Sequence, residues 1–125
     1  MTRRMLIVDD ALIMRKRIRD IAVEAGWEIA GEASNGEEAL ALYDEVHPDL
    51  VTLDIVMPKM DGVTALQRFL AADPDAKVIM ISAVNQRDKL ASCIEHGALD
   101  FIVKPFDPDR LRAMLARRLR DPGAA

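Results

Sequence analysis

Residues 5–10 have the sequence MLIVDD, an apolar run that ends abruptly in two acids. Short runs of this kind, rich in Val and Ile and bounded by turn-forming residues, are typical of buried β-strands. Further runs follow along the chain, and the second run is the weakest. The predicted strands lie at residues 5–8, 29–33, 50–53, 78–81 and 101–103.

Segments of helical periodicity separate the predicted strands. Met14, Ile18 and Ile21 fall on one face of the first helix, and Leu111 and Leu115 fall on one face of the last. Strand and helix alternate five times, which predicts a parallel sheet because each connection must cross back over it. The expected fold class is α/β, a doubly wound five-stranded parallel sheet. Four strands are almost wholly apolar and are expected to be buried on both faces, while the fifth is expected at an edge.

Helix-end signals agree with this division of the chain. Asn35 is followed three residues later by Glu38, as in a capped helix start. Asp107 before Pro108 predicts a second capped start. Gly26 follows a helical pattern at the position where a left-handed residue ends a helix.

Length and composition describe one globular domain. The chain has 125 residues, of which 50% are hydrophobic and 30% charged, with a net charge of −4. This charge gives no reason to expect nucleic acid or an anionic membrane as a partner. No apolar segment approaches the roughly 20 residues that span a bilayer, and the single cysteine, Cys93, is expected to be a buried thiol. We expect a cytoplasmic protein.

Polar residues interrupt the pattern where the predicted strands end. Asp9 and Asp10 follow the first strand, Asp54 the third, Ser82 the fourth and Lys104 the fifth. In a parallel sheet these ends share one edge, where open α/β folds bind ligands. Singly, such residues are most often caps, turn residues or solvated charges. Together, the carboxylates would repel each other without a cation, and oxygen ligands without His or Cys favour Mg²⁺.

Four separated elements resemble the receiver domain of two-component response regulators. They are DD at residues 9–10, DIVMPKMDG at 54–62, SA at 82–83 and KPF at 104–106. The resemblance covers essentially the whole chain and is strongest to the small stand-alone receivers of chemotaxis. It implies a flavodoxin-like (CheY-like) fold with strand order 2-1-3-4-5. The receiver domain would span residues 1–120, and residues 121–125 would be a tail or the start of a linker.

The resemblance also implies the chemistry of the site. Asp54 would be the phosphoacceptor, attacking a phosphohistidine on a sensor histidine kinase or phosphotransfer protein to give an acyl phosphate. Asp10, Asp54 and the backbone carbonyl of Val56 would bind Mg²⁺ directly, and Asp9 would act through water. Lys104 and Ser82 would hold phosphoryl oxygens.

The same resemblance implies how the signal leaves the site. Ser82 and Phe101 would be the switch residues, and Lys104 would precede a cis peptide bond to Pro105. Phosphorylation would alter the surface formed by the fourth helix, fifth strand and fifth helix, which would then control a downstream effector protein. The protein would be a switch rather than an enzyme, promoting its own phosphorylation and slow dephosphorylation, as a monomer or a weak phosphorylation-dependent dimer.

Two differences from the family pattern concern output. Ser82 replaces the commoner Thr, and Phe101 lacks the hydroxyl of the Tyr often found there.

Two other classes of protein fit the sequence less well. A phosphatase of the haloacid dehalogenase type needs a second acid two residues after its nucleophile, where Val56 stands. A nucleotide- or flavin-binding module needs a Gly-rich loop after the first strand, where Asp9-Asp10-Ala11-Leu12 stands.

Overall fold

The computed structural model describes residues 3–120, apart from the side chain of Val84. The strands are β1 Arg4–Val8, β2 Glu28–Ala33, β3 Leu50–Leu53, β4 Val78–Ala83 and β5 Asp100–Lys104. The helices are α1 Leu12–Ala25, α2 Gly36–Val46, α3 Gly62–Ala72, α4 Arg87–Glu95 and α5 Pro108–Arg120, with a short 3₁₀ turn at Val84–Gln86. The predicted tail at residues 121–125 lies outside the described residues.

The five strands form one parallel sheet in the order β2-β1-β3-β4-β5. This order confirms the predicted fold class and the edge position of β5. The expectation that β2 is buried on both faces is wrong: β2 is the other edge strand, Glu28 is exposed, and most of its residues are only partly buried. β4 and β5 run further than predicted, because Ser82 and Lys104 still pair along the strands despite their polar side chains.

Alternate strand residues face two separate cores, as the pleat of a β-strand requires. Leu6 and Leu53 face the core beneath α2, α3 and α4, whereas Ile7 and Ile79 face the core beneath α1 and α5. Cys93 is buried, as expected, and burial raises the pKa of its thiol. Both faces of the sheet are therefore covered, which leaves its carboxyl edge as the open, polar part of the strands. Within residues 3–120, no helix is both long and apolar enough to cross a membrane.

The predicted helix ends are confirmed. The Asn35 side chain accepts a hydrogen bond from the backbone N–H of Glu38 at the start of α2 (2.9 Å). Gly26 ends α1 in the left-handed region, with a φ of 108°. Pro108 is the first residue of α5, and Asp107 before it accepts a backbone N–H of the first turn. The Asn35 and Asp107 caps lie in loops at the carboxyl edge of the sheet, whereas Gly26 lies at the opposite edge, before β2.

Candidate functional site

The structure brings the three predicted acids together at the carboxyl edge of the sheet. Asp9 and Asp10 follow β1, and Asp54 follows the neighbouring strand β3. One carboxylate oxygen of each lies within 4.8 Å of those of the other two. This proximity results from the parallel pairing of β1 with β3, which sets Val8 directly beside Leu53.

Asp54 is buried and surrounded by hydrogen-bond donors. Its Oδ1 accepts from the Ile55 backbone N–H (2.7 Å) and from the Ser82 hydroxyl (2.7 Å), and its Oδ2 accepts from Lys104 Nζ (3.0 Å). Ser82 and Lys104 come from β4 and β5, so donors from the far half of the sheet converge on this carboxylate. The Ser82 hydroxyl therefore lies in direct contact with Asp54 in this structure.

Lys104 bridges the acids as well as contacting Asp54. Its Nζ also donates to Asp9 Oδ2 (2.6 Å). Burial lowers the pKa of Lys104, but the hydrogen bond to Asp9 and the negative charges of Asp54 and Asp9 outweigh it and raise that pKa. Burial raises the pKa of Asp9, with the hydrogen bond from Lys104 opposing and the charge of Asp54 adding to the effect. The lysine is therefore a cation that holds two carboxylates in place.

The donor set fits a magnesium ion. When all the groups are ionised, the three carboxylates and one ammonium leave a local excess of negative charge. The donors are oxygen atoms, which suit a hard divalent cation better than zinc or copper. Val56, expected to contribute its backbone carbonyl, lies in the loop that leaves Asp54, and among the described residues that carbonyl accepts no hydrogen bond.

Asp9 and Asp10 differ in burial and in the number of hydrogen bonds that their carboxylates accept. Asp9 is buried, and its Oδ1 accepts from the Ala11 backbone N–H (2.9 Å) while its Oδ2 accepts from Lys104. Asp10 is exposed, and no described residue donates a hydrogen bond to its carboxylate. Of the two carboxylates, that of Asp10 is therefore the more available to a cation.

We expect Asp10→Asn to weaken Mg²⁺ binding more than Asp9→Asn does. Losing a direct charged ligand should cost about a hundredfold or more in affinity, and losing one that acts through water about tenfold. Isothermal titration calorimetry on the two variants measures the difference, and each substitution removes one negative charge, so each serves as the charge control for the other. The opposite order would show that their roles are exchanged.

The loop from β3 to α3 depends on a glycine to which the sequence analysis assigned no role. The Gly62 N–H donates to the Ile55 carbonyl (2.7 Å), which closes the loop on itself. A Cβ on Gly62 would lie 2.0 Å from the backbone oxygen of Asp54. The sequence marks this glycine in two ways, because it ends the DIVMPKMDG motif and follows Asp61, the acid that caps α3.

The predicted switch residue Phe101 is the second residue of β5 and is half-buried against the core beneath α4. It lines a cleft of about 600 Å³ together with Arg87, Phe106 and Arg110. The peptide bond between Lys104 and Pro105 beside this cleft is cis, as the resemblance implied. The cleft and the acid cluster are thus joined by the strand that carries both Phe101 and Lys104.

Known proteins match the chain over most of its length. The family described as "Response regulator receiver domain" matches residues 5–116. The chemotaxis protein CheY of Thermotoga maritima is 50% identical, over 89% of this chain and 92% of that protein. CheY of Bacillus subtilis is 49% identical, over 95% and 99%. The crystal structure of a CheX-CheY-BeF3-Mg²⁺ complex from Borrelia burgdorferi aligns with a TM-score of 0.85 at 39% identity, covering 98% of this chain and 90% of that chain.

The matches and the fold agree with each other. The sheet order and the five flanking helices are those of the aligned structures, and the relatives are covered almost from end to end. The chain belongs to the response regulator receiver domain family, the phosphorylation-activated signalling switches of two-component systems, and is homologous to CheY.

Proposed function

We propose that Asp54 is the phosphoacceptor of this receiver and takes its phosphoryl group from a phosphohistidine of a sensor histidine kinase or phosphotransfer protein. One observation carries the proposal: the Asp54 carboxylate is held by Ser82 and Lys104 beside the two acids that follow β1. Donors alone would also suit a structural buried acid, but two further carboxylates beside Asp54 make its burial more costly and favour a site built for a cation and a phosphoryl group.

In the proposed step, a carboxylate oxygen of Asp54 attacks phosphorus, the phosphorus–nitrogen bond breaks, and the imidazole leaves. The product is an acyl phosphate on Asp54. Lys104 and Ser82 then exchange their bonds to the carboxylate for bonds to phosphoryl oxygens, which needs only a short movement from their present distances of 3.0 and 2.7 Å. Bound Mg²⁺ would neutralise charge on the phosphoryl group. Asp10, Asp54 and the Val56 carbonyl would hold the ion directly, and Asp9 through water.

The test is phosphorylation by acetyl phosphate, followed by intact mass. The chain should gain one phosphoryl group with Mg²⁺ and none with EDTA. An unchanged mass with Mg²⁺, or an equal gain in EDTA, would overturn the proposal. The phosphatase alternative finds no support at the site, because position 56, where that class needs an acid, carries an exposed valine.

We further propose that the acyl phosphate is long-lived. Val56 is 55% exposed beside Asp54, and its isopropyl group can neither hydrogen-bond nor orient a hydrolytic water. In the family, the side chain two residues after the Ser or Thr also flanks the path of that water; here the residue is Val84, whose side chain lies outside the described residues. Signal shut-off would then depend on back-transfer to the donor or on a separate phosphatase.

Replacing Val56 tests this lifetime. Val56→Asn should speed loss of the phosphoryl group by about tenfold, because an amide can position the attacking water. The measurement is decay of the phosphorylated chain in Mg²⁺ after removal of the donor. Val23→Asn is the matched control, since Val23 is 57% exposed but lies on the far part of α1. Equal decay of the parent and Val56→Asn would contradict the proposal.

We propose that the output surface is formed by α4, β5 and α5 and that a downstream effector protein binds there. Phe101 on β5 lines the cleft of this surface, and Lys104 on the same strand contacts Asp54. Phosphorylation would shift the populations of this surface through Ser82 and Phe101. The relatives named CheY support chemotaxis as the pathway, and a free buried thiol suits a cytoplasmic protein.

Beryllofluoride, a phosphoryl mimic, should change amide hydrogen exchange in residues 87–120 as well as around Asp54. The expected change follows from the shared strand β5, which carries both a site residue and the switch aromatic. Asp54→Asn is the control and should show no response. Exchange changes confined to the residues around Asp54 would show that phosphorylation does not alter this surface, and would contradict the proposal.

A further inference from the structure

We propose that Arg15 is a positioning residue that sets the affinity of the acid cluster for its cation by fixing the peptide bond between Asp9 and Asp10. The inference rests on the proposed function, because it concerns the same cation site. It assigns a role to an arginine of α1 that touches neither the phosphoacceptor nor its donors.

The guanidinium of Arg15 joins three elements of the fold. Its NH1 donates to the backbone carbonyl of Asp9 (2.7 Å), and its Nε donates to Glu32 Oε1 on the edge strand β2 (3.2 Å). The side chain of Arg15 is only 16% exposed, and that of Glu32 is 24% exposed. Partial burial strengthens such charged hydrogen bonds, so Glu32 holds Arg15 against Asp9.

The carbonyl that Arg15 holds belongs to the peptide bond leading into Asp10. On the other side of Asp9, its backbone N–H donates to the Ala33 carbonyl (3.1 Å), and its Oδ1 accepts from the Ala11 N–H (2.9 Å). The chain is thus held immediately before and after Asp10, whose own carboxylate receives no hydrogen bond from the described residues. The direction of the Asp10 side chain therefore depends on the peptide plane that Arg15 fixes.

A positioning role and a purely electrostatic role of Arg15 predict opposite changes in Mg²⁺ affinity when Arg15 is replaced. Arg15 carries a positive charge close to a cation site, so removing that charge alone would tighten Mg²⁺ binding. If Arg15 orients the acids, its removal weakens binding instead. The chain offers a matched control in Arg19, which pairs with the same carboxylate (NH1 to Glu32 Oε2, 3.3 Å) but is half-exposed and makes no contact with Asp9.

The experiment compares Arg15→Gln, Arg15→Lys and Arg19→Gln by calorimetric titration with Mg²⁺ alone. We expect Arg15→Gln to bind about tenfold more weakly than the parent, as for other residues that orient metal ligands. Arg15→Lys should be intermediate, because an ammonium can reach the carbonyl or Glu32 but lacks the planar fork that reaches both. Arg19→Gln should stay within about twofold of the parent.

A second readout uses the metal-free protein. Amide hydrogen exchange of Asp10 and Ala11 should be faster in Arg15→Gln than in the parent and in Arg19→Gln, while the thermal unfolding midpoints of the two glutamine variants stay close. Equal or tighter Mg²⁺ binding by Arg15→Gln, or equal weakening by both glutamine variants, would overturn this inference alone. A parent chain that binds no Mg²⁺ would overturn the proposed function together with it.

Discussion

Asp54→Asn is expected to lower the rate of phosphorylation by acetyl phosphate by at least about a thousandfold. The amide has nearly the shape of the carboxylate and can still accept from Lys104, but it has no negatively charged oxygen to attack phosphorus. Intact mass after incubation with acetyl phosphate and Mg²⁺ measures the effect directly.

Asp9→Asn is the matched control for this loss. It makes the same isosteric change within 4.8 Å of Asp54, in a second carboxylate that Lys104 contacts. It should still gain a phosphoryl group at high Mg²⁺ concentration, because we propose Asp54, and not Asp9, as the nucleophile. A phosphoryl gain in Asp54→Asn equal to that of the parent would place the acceptor on another residue.

The sequence predicts the central part of this fold well, for a physical reason. β1 and β3 are covered on both faces, so their residues are apolar apart from Arg4 and Thr52, and their ends are marked by the acids that follow. The error at β2 arises because burial depends on the order of strands in the sheet, which the pattern of a single strand does not encode. In the same way, pairing with β5 extends β4 past Ser82, although a polar residue at that position suggests the end of a strand.

The site, like the fold, is predicted only in part. Its membership follows from the sequence, because the carboxyl ends of parallel strands must share an edge. Its internal contacts do not, since the bridge from Lys104 to Asp9 and the contact from Arg15 to the Asp9 carbonyl join residues on different elements. Such contacts depend on distances set by packing. The close approach of Gly62 to Asp54 is another contact that the sequence does not predict. It gives the largest effect on stability that we expect from a single substitution.

Gly62→Ala is expected to destabilise the protein by about 3 kcal/mol or more. The added Cβ would meet the backbone oxygen of Asp54 at 2.0 Å, its carbonyl carbon at 2.8 Å and the Cα of Ile55 at 2.7 Å. All of these are backbone atoms, so no side chain can rotate away to relieve the clash. The start of α3 or the loop after β3 must move instead, and the hydrogen bond from the Gly62 N–H to the Ile55 carbonyl is strained or lost.

Gly31→Ala separates this steric effect from the general effect of replacing a glycine. A Cβ on Gly31 would meet only side-chain carbons, of Leu6 at 3.6 Å and of Leu42 at 3.8 Å, which is ordinary van der Waals contact. Because glycine within a strand costs about 0.5–1 kcal/mol relative to alanine, Gly31→Ala should leave stability unchanged or raise it slightly. Urea unfolding of both variants in EDTA measures the contrast without any contribution from bound cation.

The same clash should also slow phosphorylation, because the displaced backbone carries the Asp54 side chain that we propose as the phosphoacceptor. A displacement of about 1 Å can cost about a hundredfold in rate when reacting groups must be aligned. Gly62→Ala that remains folded should therefore be phosphorylated far more slowly than Gly31→Ala, with the nucleophile, Ser82 and Lys104 all unchanged. If the two alanine variants matched in both stability and phosphorylation, the loop after β3 would be compliant, and the close approach of Gly62 would not be what holds Asp54 in place.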